Sequence, residues 1–256
     1  MRMIEKAKLR YWDIAIADYG DILALMDEWR KGREKHYICF CDANGLAHGW
    51  SEPDLQQAYQ GADAVFADGI SLKWLAKISD GKVPRHVMGP VFFEKAMAYG
   101  VSRGWRHFFF GGAPGVAETL KAKMEAKYPG VQIVGTASPE FSDDPLPPAA
   151  LQSDNPSIRQ SNNSPDFLWV ALGCPKQEKW TARHFREVNA AATIPVGAAF
   201  DFHAGNVRLS PMWVQRAGFN WLWRLLTGGR RVWKRNLWCV SKSAKILIGE
   251  CLRRRS

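Results

Sequence analysis

The stretch WRHFFFGGAPGVAETLKAKMEAKYPG, Trp105–Gly130, is the clearest structural unit in the chain. His107 to Phe110 form a short apolar run, Gly111 to Gly115 a Gly/Pro turn, and residues from about Gly115 to Lys127 a helix. A further strand, VQIVGTAS, follows at once. The same rhythm recurs on both sides. Upstream, in GADAVFADGISLKWL (Gly61–Leu75), the run Ala64 to Ala67 stops on Asp68 and Gly69 before a helix over Ile70 to Ile78. Earlier still, Ile22, Leu25, Met26 and Trp29 stand at helical spacing within residues 18–35. HYICFCDANG then reads as a strand with a polar end at Asp42 and Asn44, and residues 54–60 suit a short helix. Between Leu75 and Trp105 lie a loop, GKVPRHVMGP, and a helix, VFFEKAMAYGVSRG. Downstream, DFLWVALGCPKQEKWTARHFREV repeats strand, turn and helix, and IPVGAAFDFHAG supplies the last strand. Strands alternating with helices of this length predict an α/β fold on a mostly parallel, doubly wound sheet. Residues 138–165, rich in Ser, Pro, Asn and Asp, break the rhythm and read as a long surface excursion.

With 256 residues the chain can bury a substantial core, and its 46% hydrophobic and 23% charged content is that of an ordinary globular protein. Two features are unusual, the 12 Trp and the net charge of +10. The charge is concentrated at the carboxyl end, where residues 206–256 hold 12 Lys/Arg and a single acid, Glu250, leaving residues 1–205 nearly neutral. We therefore divide the chain into a core, 1–205, and a basic, Trp-rich helical appendage, 206–256. The five Cys are odd in number, scattered and without a CxxC pair, which argues against a disulfide framework or a zinc site and fits a reducing cytoplasm. The amino terminus lacks the apolar segment of a signal peptide, and no run of 18 apolar residues could span a bilayer.

Within the appendage, Pro211 to Thr227 forms one helix candidate, Gly228 and Gly229 interrupt it, and a second begins near Arg230. On a helical wheel Val232, Trp233, Leu237, Val240, Ala244 and Leu247 share one side, while Arg230, Arg231, Lys234, Arg235, Lys242 and Lys245 share the other. Such a helix suits the interface of an anionic membrane, to which each basic residue contributes about 1 kcal/mol. The alternative is a helix packed on the body with a solvated basic face.

Of the motifs that could carry chemistry, Asp68 admits two readings. A carboxylate at the carboxyl end of a buried strand sits where open α/β sheets bind ligands, but it could equally cap the helix that follows. GGAPGVAE would leave backbone N–H groups free for a phosphate, or simply make a tight turn, and it has neither GxGxxG spacing nor a GK[ST] ending. In LGCPKQEKW, Lys176, Gln177 and Glu178 open a helix where polar side chains face either a crevice or solvent. The six His stand apart, with no HExxH or DxD arrangement for a cation, and no GxSxG elbow is present.

Taken together, ADAVFADGISLKW, FFFGGAPGVAETL, YPGVQIVGT, PDFLWVALGCPKQEKW, GAAFDFHAGNVRLSPMWVQRAGFNWLWRLL and RRVWKRNL resemble, in this order, the WecG/TagA/CpsF family of bacterial glycosyltransferases. The resemblance implies a Rossmann-like fold and an inverting hexosyl transfer from a UDP-sugar to a sugar on a polyprenyl pyrophosphate. The product would serve surface or exopolysaccharide synthesis, as in teichoic acid or capsule pathways. It further implies a carboxyl-terminal appendage that holds the enzyme at the inner face of the cell membrane and helps complete the site, and a reaction without metal or other cofactor. Residue by residue, the family's general base falls on Asp68. Its TxN motif falls on Asp42, Ala43 and Asn44, so that the Asn matches and the Thr does not. Gln177 and Asp201 match pocket residues of the donor site, and Arg224 and Arg231 match appendage arginines that reach the diphosphate, with Lys234 in place of a third. The family's RVTGxD loop reads HVMGPV here, so its Arg aligns with His86, beside Arg85, and its Asp with Val91. Two other readings fit parts of the chain: an epimerase-like sugar-nucleotide enzyme, and a nucleic-acid binder using the basic, Trp-rich tail. Against the latter, the tail's aromatics and bases lie on opposite faces, so nucleic acid is not an expected partner. The donor sugar, the acceptor sugar and the oligomeric state, a homo-oligomer included, are not fixed by these motifs.

Overall fold

The apolar runs of the core form strands buried on both faces, as a parallel sheet covered by helices requires. The structure is a computed structural model that describes residues 4–140, 142–148, 151, 164–208, 210–211, 213–214, 222–223 and 230–254, with residues 230–232 and 235 described by backbone alone. A short antiparallel hairpin, β1 (Lys6–Lys8) and β2 (Asp13–Ala15), precedes helix α1 (Tyr19–Lys31). There follow β3 (His36–Cys41), α2 (Ala43–Gly49), α3 (Pro53–Gln60), β4 (Ala64–Ala67), α4 (Ile70–Asp80) and α5 (Gly89–Val101). The unit around Gly111 gives β5 (Arg106–Gly111), α6 (Val116–Lys127) and β6 (Gln132–Ala137). The chain then forms β7 (Phe167–Ala171), α7 (Lys176–His184), β8 (Ala192–Pro195), α8 (Ala199–Ala204) and the long α9 (Arg230–Arg253).

Six strands make one sheet in the order β4-β3-β8-β7-β5-β6, every neighbouring pair parallel. The α/β, doubly wound expectation therefore holds. From β4 the chain crosses to β5, leaving room at the centre that β7 and β8 later fill. This reversal brings the carboxyl ends of β3, β4, β7 and β8 together around one crevice, the usual ligand position in such sheets.

Two core clusters pack the faces of the sheet. Ile22, Met26, Phe92, Phe93, Phe109, Trp169 and Phe200 fill one, and Tyr37, Leu46, Leu55, Tyr59, Leu72 and Leu75 the other. Each fully buried side chain of this size contributes roughly 1.5–3 kcal/mol relative to exposure. The apolar side of α1 read from the sequence is the buried one, at Ile22, Leu25, Met26 and Trp29.

The Gly111–Gly115 turn is a strand-to-helix turn with no part in the crevice. A Cβ on Gly111, at φ 110°, would lie 2.4 Å from the Ala171 carbonyl oxygen, so glycine is needed for close approach of β5 to β7. Part of the 138–165 excursion is pinned to the body. The Trp180 indole N–H donates to the Pro145 carbonyl at 2.6 Å, Arg183 pairs with Asp144 at 2.9 Å, and Leu151 is buried beside Phe110 and Trp180.

Helix α9 packs on α2 and α4, and its geometry changes the two-sided reading of the wheel. The face turned to the body is Asn236, Cys239, Ser243, Ile246 and Glu250, all buried, with Ile246 joining the core cluster of Leu46 and Leu72. Trp233, Leu237 and Ala244 from the apolar side are exposed, as are Ile248 and Leu252. The small and polar stripe is the docked face because it fits closely against α2: Cys239 Sγ–H donates to Asn44 Oδ1 at 3.2 Å and Ser243 Oγ–H to the Ala43 carbonyl at 3.5 Å. Lys242 donates to Ser51 Oγ at 2.8 Å and lies over the Trp238 ring, which packs on His48. Among the described residues no helix is long and apolar enough to cross a membrane.

Candidate functional site

A cavity of about 500 Å³ opens at the carboxyl ends of the central strands. Its floor is Phe40 from β3 and Pro195 from β8; its walls are the residues that follow β3, β4, β7 and β8, the start of α4 and one face of α9 from Asn236 to Leu247. The sheet thus delivers Asp42, Asn44, Asp68 and Gln177, four of the residues singled out from the sequence, to one space.

Asp68 stands where β4 ends, its N–H donating to the Cys41 carbonyl at 2.9 Å. It does not cap α4. The cap position is Gly69, which makes no side-chain hydrogen bond, and Asp68 Oδ2 instead accepts from the Gly89 N–H at 2.9 Å. Gly89 is the first residue of α5, so one carboxylate oxygen is held at a helix start while the residue borders the cavity. The capping carboxylate is Asp42. Its Oδ1 accepts from Gly45 N–H at 2.8 Å and starts α2. Asn44 bridges elements: its Nδ2 donates to the Cys174 carbonyl at 3.4 Å, and its Oδ1 accepts from Cys239 of α9. The loop after β7, which includes a cis Cys174–Pro175 bond, is thereby tied to the carboxyl-terminal helix.

Gln177 is buried, and both ends of its amide are fixed. Oε1 accepts from Gly173 N–H at 3.2 Å and Nε2 donates to Glu178 Oε1 at 2.9 Å. Gly197, at φ 50°, allows this packing, since a Cβ there would lie 3.0 Å from Gln177 Oε1. Glu178 is the residue of this cluster that no motif singled out. It is fully buried, its Oε2 has no hydrogen-bond partner, and burial, with a contribution from nearby Asp42, pushes its carboxyl up to about 7. Isolation in the apolar interior, beside the thiols of Cys39 and Cys41, is the cause.

Of the neighbours Arg85 and His86 in the loop before α5, the structure places His86 in the cavity and Arg85 outside it, exposed and near Asp18. Burial, then the positive charge of Lys73, lowers the His86 pKa, so the ring is neutral at pH 7, and its Nε2 is buried without a partner. Asp201 does not line the cavity. Its Oδ1 accepts from Asn206 Nδ2 at 3.3 Å, and its carbonyl accepts from the N–H groups of Asn206 and Val207 at 2.9 and 3.2 Å. Arg224 lies outside the described residues. Arg231 is in the first turn of α9, known by backbone only, and Lys234 is exposed there. Sequence reasoning passed over Arg208, which follows the Asp201 turn and lines the cavity. Its only signal was its place within GNVRLSP.

Among the described residues no group of three His, Cys, Asp or Glu is placed to hold a metal ion. The arrangement supplies an anchored carboxylate, a fixed amide, a neutral imidazole and a guanidinium around one cavity. Such a site can bind a polar ligand and take up a proton.

The family model for the glycosyl transferase WecG/TagA/CpsF family matches residues 9–256. Two curated relatives carry the name N-acetylglucosaminyldiphosphoundecaprenol N-acetyl-beta-D-mannosaminyltransferase. The one from Bacillus subtilis (strain 168) is 26% identical over 186 residues, covering 73% of this chain and 68% of the relative. The one from Bacillus spizizenii (strain ATCC 23059 / NRRL B-14472 / W23) is 28% identical over 186 residues, covering 72% and 68%.

Proposed function

The chain belongs to the WecG/TagA/CpsF family of glycosyltransferases, and we propose that it transfers a sugar, with inversion, from a UDP-sugar to a polyprenyl-diphosphate-linked sugar. The observation that carries the reading is Asp68, a carboxylate held by the Gly89 N–H at the rim of the cavity rather than capping the helix that follows it in sequence. In the proposed reaction the acceptor hydroxyl attacks the anomeric carbon from the face opposite UDP. Its proton passes to Asp68, the bond from the anomeric carbon to the phosphate oxygen breaks, and UDP leaves with the electron pair. Gln177, with its amide orientation fixed, and His86 contact the donor, while Asp42 and Asn44 shape the wall opposite. Positive charge, from Arg224 and Arg231 among others, offsets the charge that develops on UDP, and no metal ion is required.

The names of the two relatives support a diphosphate-linked N-acetylglucosamine acceptor and an N-acetylmannosamine donor as the first substrates to try. Such an acceptor is anchored in a bilayer, and the exposed stripe of Trp233, Leu237, Ile248 and Leu252 supports docking of α9 on an anionic membrane surface, at the cytoplasmic face. The product would enter surface or exopolysaccharide synthesis. A panel of radiolabelled UDP-sugars offered with short-chain polyprenyl-diphosphate acceptors, with and without EDTA, tests the proposal. Label should pass to the lipid-linked acceptor in both conditions. Release of an altered nucleotide sugar without acceptor would point to an epimerase, and a strict metal requirement would overturn charge stabilisation by protein cations.

A further inference from the structure

We propose that Arg208 is the group that receives the β-phosphate of the sugar nucleotide, and that Asp201 is the residue that positions it; the inference rests on the donor reading above. Among the described residues, the acidic and basic side chains bordering the cavity are Asp42, Asp68, Glu178, His86 and Arg208, beside the thiols of Cys174 and Cys239. Three are acids and one is an imidazole held neutral by burial. A nucleoside diphosphate brings further negative charge into this space, and Arg208 is the one guanidinium or ammonium that meets it there among the described residues.

Four other arginines are already committed to an acid, and Arg208 is not. Arg30 and Arg106 pair with Asp166, Arg183 with Asp144, and Arg253 with Glu250, whereas Arg208 forms no ion pair among the described residues. Its fork of N–H donors, left exposed at the rim, suits two phosphate oxygens at once.

The local chain explains how it comes to be there. Helix α8 ends at Gly205, whose φ of 84° turns the chain sharply. Asp201 then gathers the turn, its carbonyl accepting from the N–H groups of both Asn206 and Val207 and its Oδ1 from the Asn206 side chain. The helix itself is fixed from outside: His203 Nε2–H donates to the Pro90 carbonyl at 2.8 Å and Lys123 to the Ala204 carbonyl at 2.6 Å. The next residue after this turn is Arg208, flanked in the cavity lining by Phe202 and Ser210. Asp201 therefore acts on the ligand through Arg208, at a distance.

Calorimetric titration of the full chain with UDP, UMP and farnesyl diphosphate tests this. Arg208→Ala should weaken UDP by roughly ten- to hundredfold, as loss of a charge-assisted pair does, and leave UMP little changed. Arg208→Lys should fall between, keeping charge and losing the fork. Asp201→Ala should weaken UDP, and Asp201→Asn, which keeps the Oδ1 acceptor, should restore it; a merely structural role would not separate UDP from UMP. An Arg208→Ala protein that binds UDP like the wild type overturns the assignment alone. So does one that loses UDP and UMP equally, or loses farnesyl diphosphate while keeping UDP. Wild-type protein that fails to bind UDP overturns the donor reading and the assignment with it.

Discussion

Replacing Glu178 by Gln should make the protein more stable in neutral and mildly alkaline solution, although it removes a carboxylate from a hydrogen-bonded cluster. The folded chain holds Glu178 away from water, its Oε1 accepting one N–H from Gln177 and its Oε2 accepting nothing. Burial raises its pKa from 4.5 to about 7. In the unfolded chain the proton leaves near the ordinary value; in the folded chain it stays until the higher one. Across that window the folded state binds more protons, so rising pH costs stability, and above it the cost is constant. At about 1.36 kcal/mol per pH unit, the separation corresponds to about 3 kcal/mol. Glutamine keeps an oxygen for Gln177 and cannot ionise. Denaturant unfolding of both proteins from pH 4.5 to about 8 reads the difference directly. The advantage of the variant should grow through the window by up to about 3 kcal/mol and then level off. A difference that does not change with pH would show that Glu178 ionises as readily in the folded chain as in the unfolded one, and would refute the account of its burial.

His107 acts in the opposite direction: it is fully buried, its Nδ1 accepts from the Trp169 indole N–H at 3.0 Å, and burial lowers its pKa to about 3. The unfolded chain takes up this proton first as pH falls below 6.5, so His107→Phe should flatten the acid limb of the stability profile, and an unchanged limb would exclude His107 as its source. Gly197→Ala should raise the donor KM more than it lowers stability, because the added Cβ meets the Gln177 amide at a positive φ; a Gln177→Ala, Gly197→Ala double variant no worse than Gln177→Ala alone would confirm the shared cause. On α9, Leu237 and Ile248 are 57% and 61% exposed, so converting both to Ser should leave the melting temperature unchanged and reduce sedimentation with anionic vesicles by roughly tenfold or more. Undiminished sedimentation would remove that stripe from the membrane contact.

The order of elements was legible because each strand is a short apolar run punctuated by Gly, Pro or Asp, and because the buried side of α1 repeats at helical spacing. What could not be read were choices that depend on partners distant in sequence. Asp68 and Asp42 both stand at strand ends before helices, and local rules favour capping for each. Only the packing of α5 against β4, which brings Gly89 to Asp68, separates the two roles. The wheel of α9 sets apolar against basic residues, yet the docked face is a third stripe of Asn236, Cys239, Ser243, Ile246 and Glu250 that fits closely against α2. Asp201 and Arg208 show the same limit. A motif places both in one stretch, and the turn at Gly205 decides which of them meets the cavity.

The central claim is that Asp68 takes the proton from the acceptor hydroxyl, and the most direct measurement is the rate of sugar transfer by Asp68→Asn set beside its affinity for UDP. The substitution keeps an oxygen for the Gly89 N–H and removes the base. Transfer should fall by roughly 10²–10⁴-fold while UDP binds as it does to the wild type. A variant that transfers sugar at the wild-type rate, with UDP affinity intact, would contradict the account.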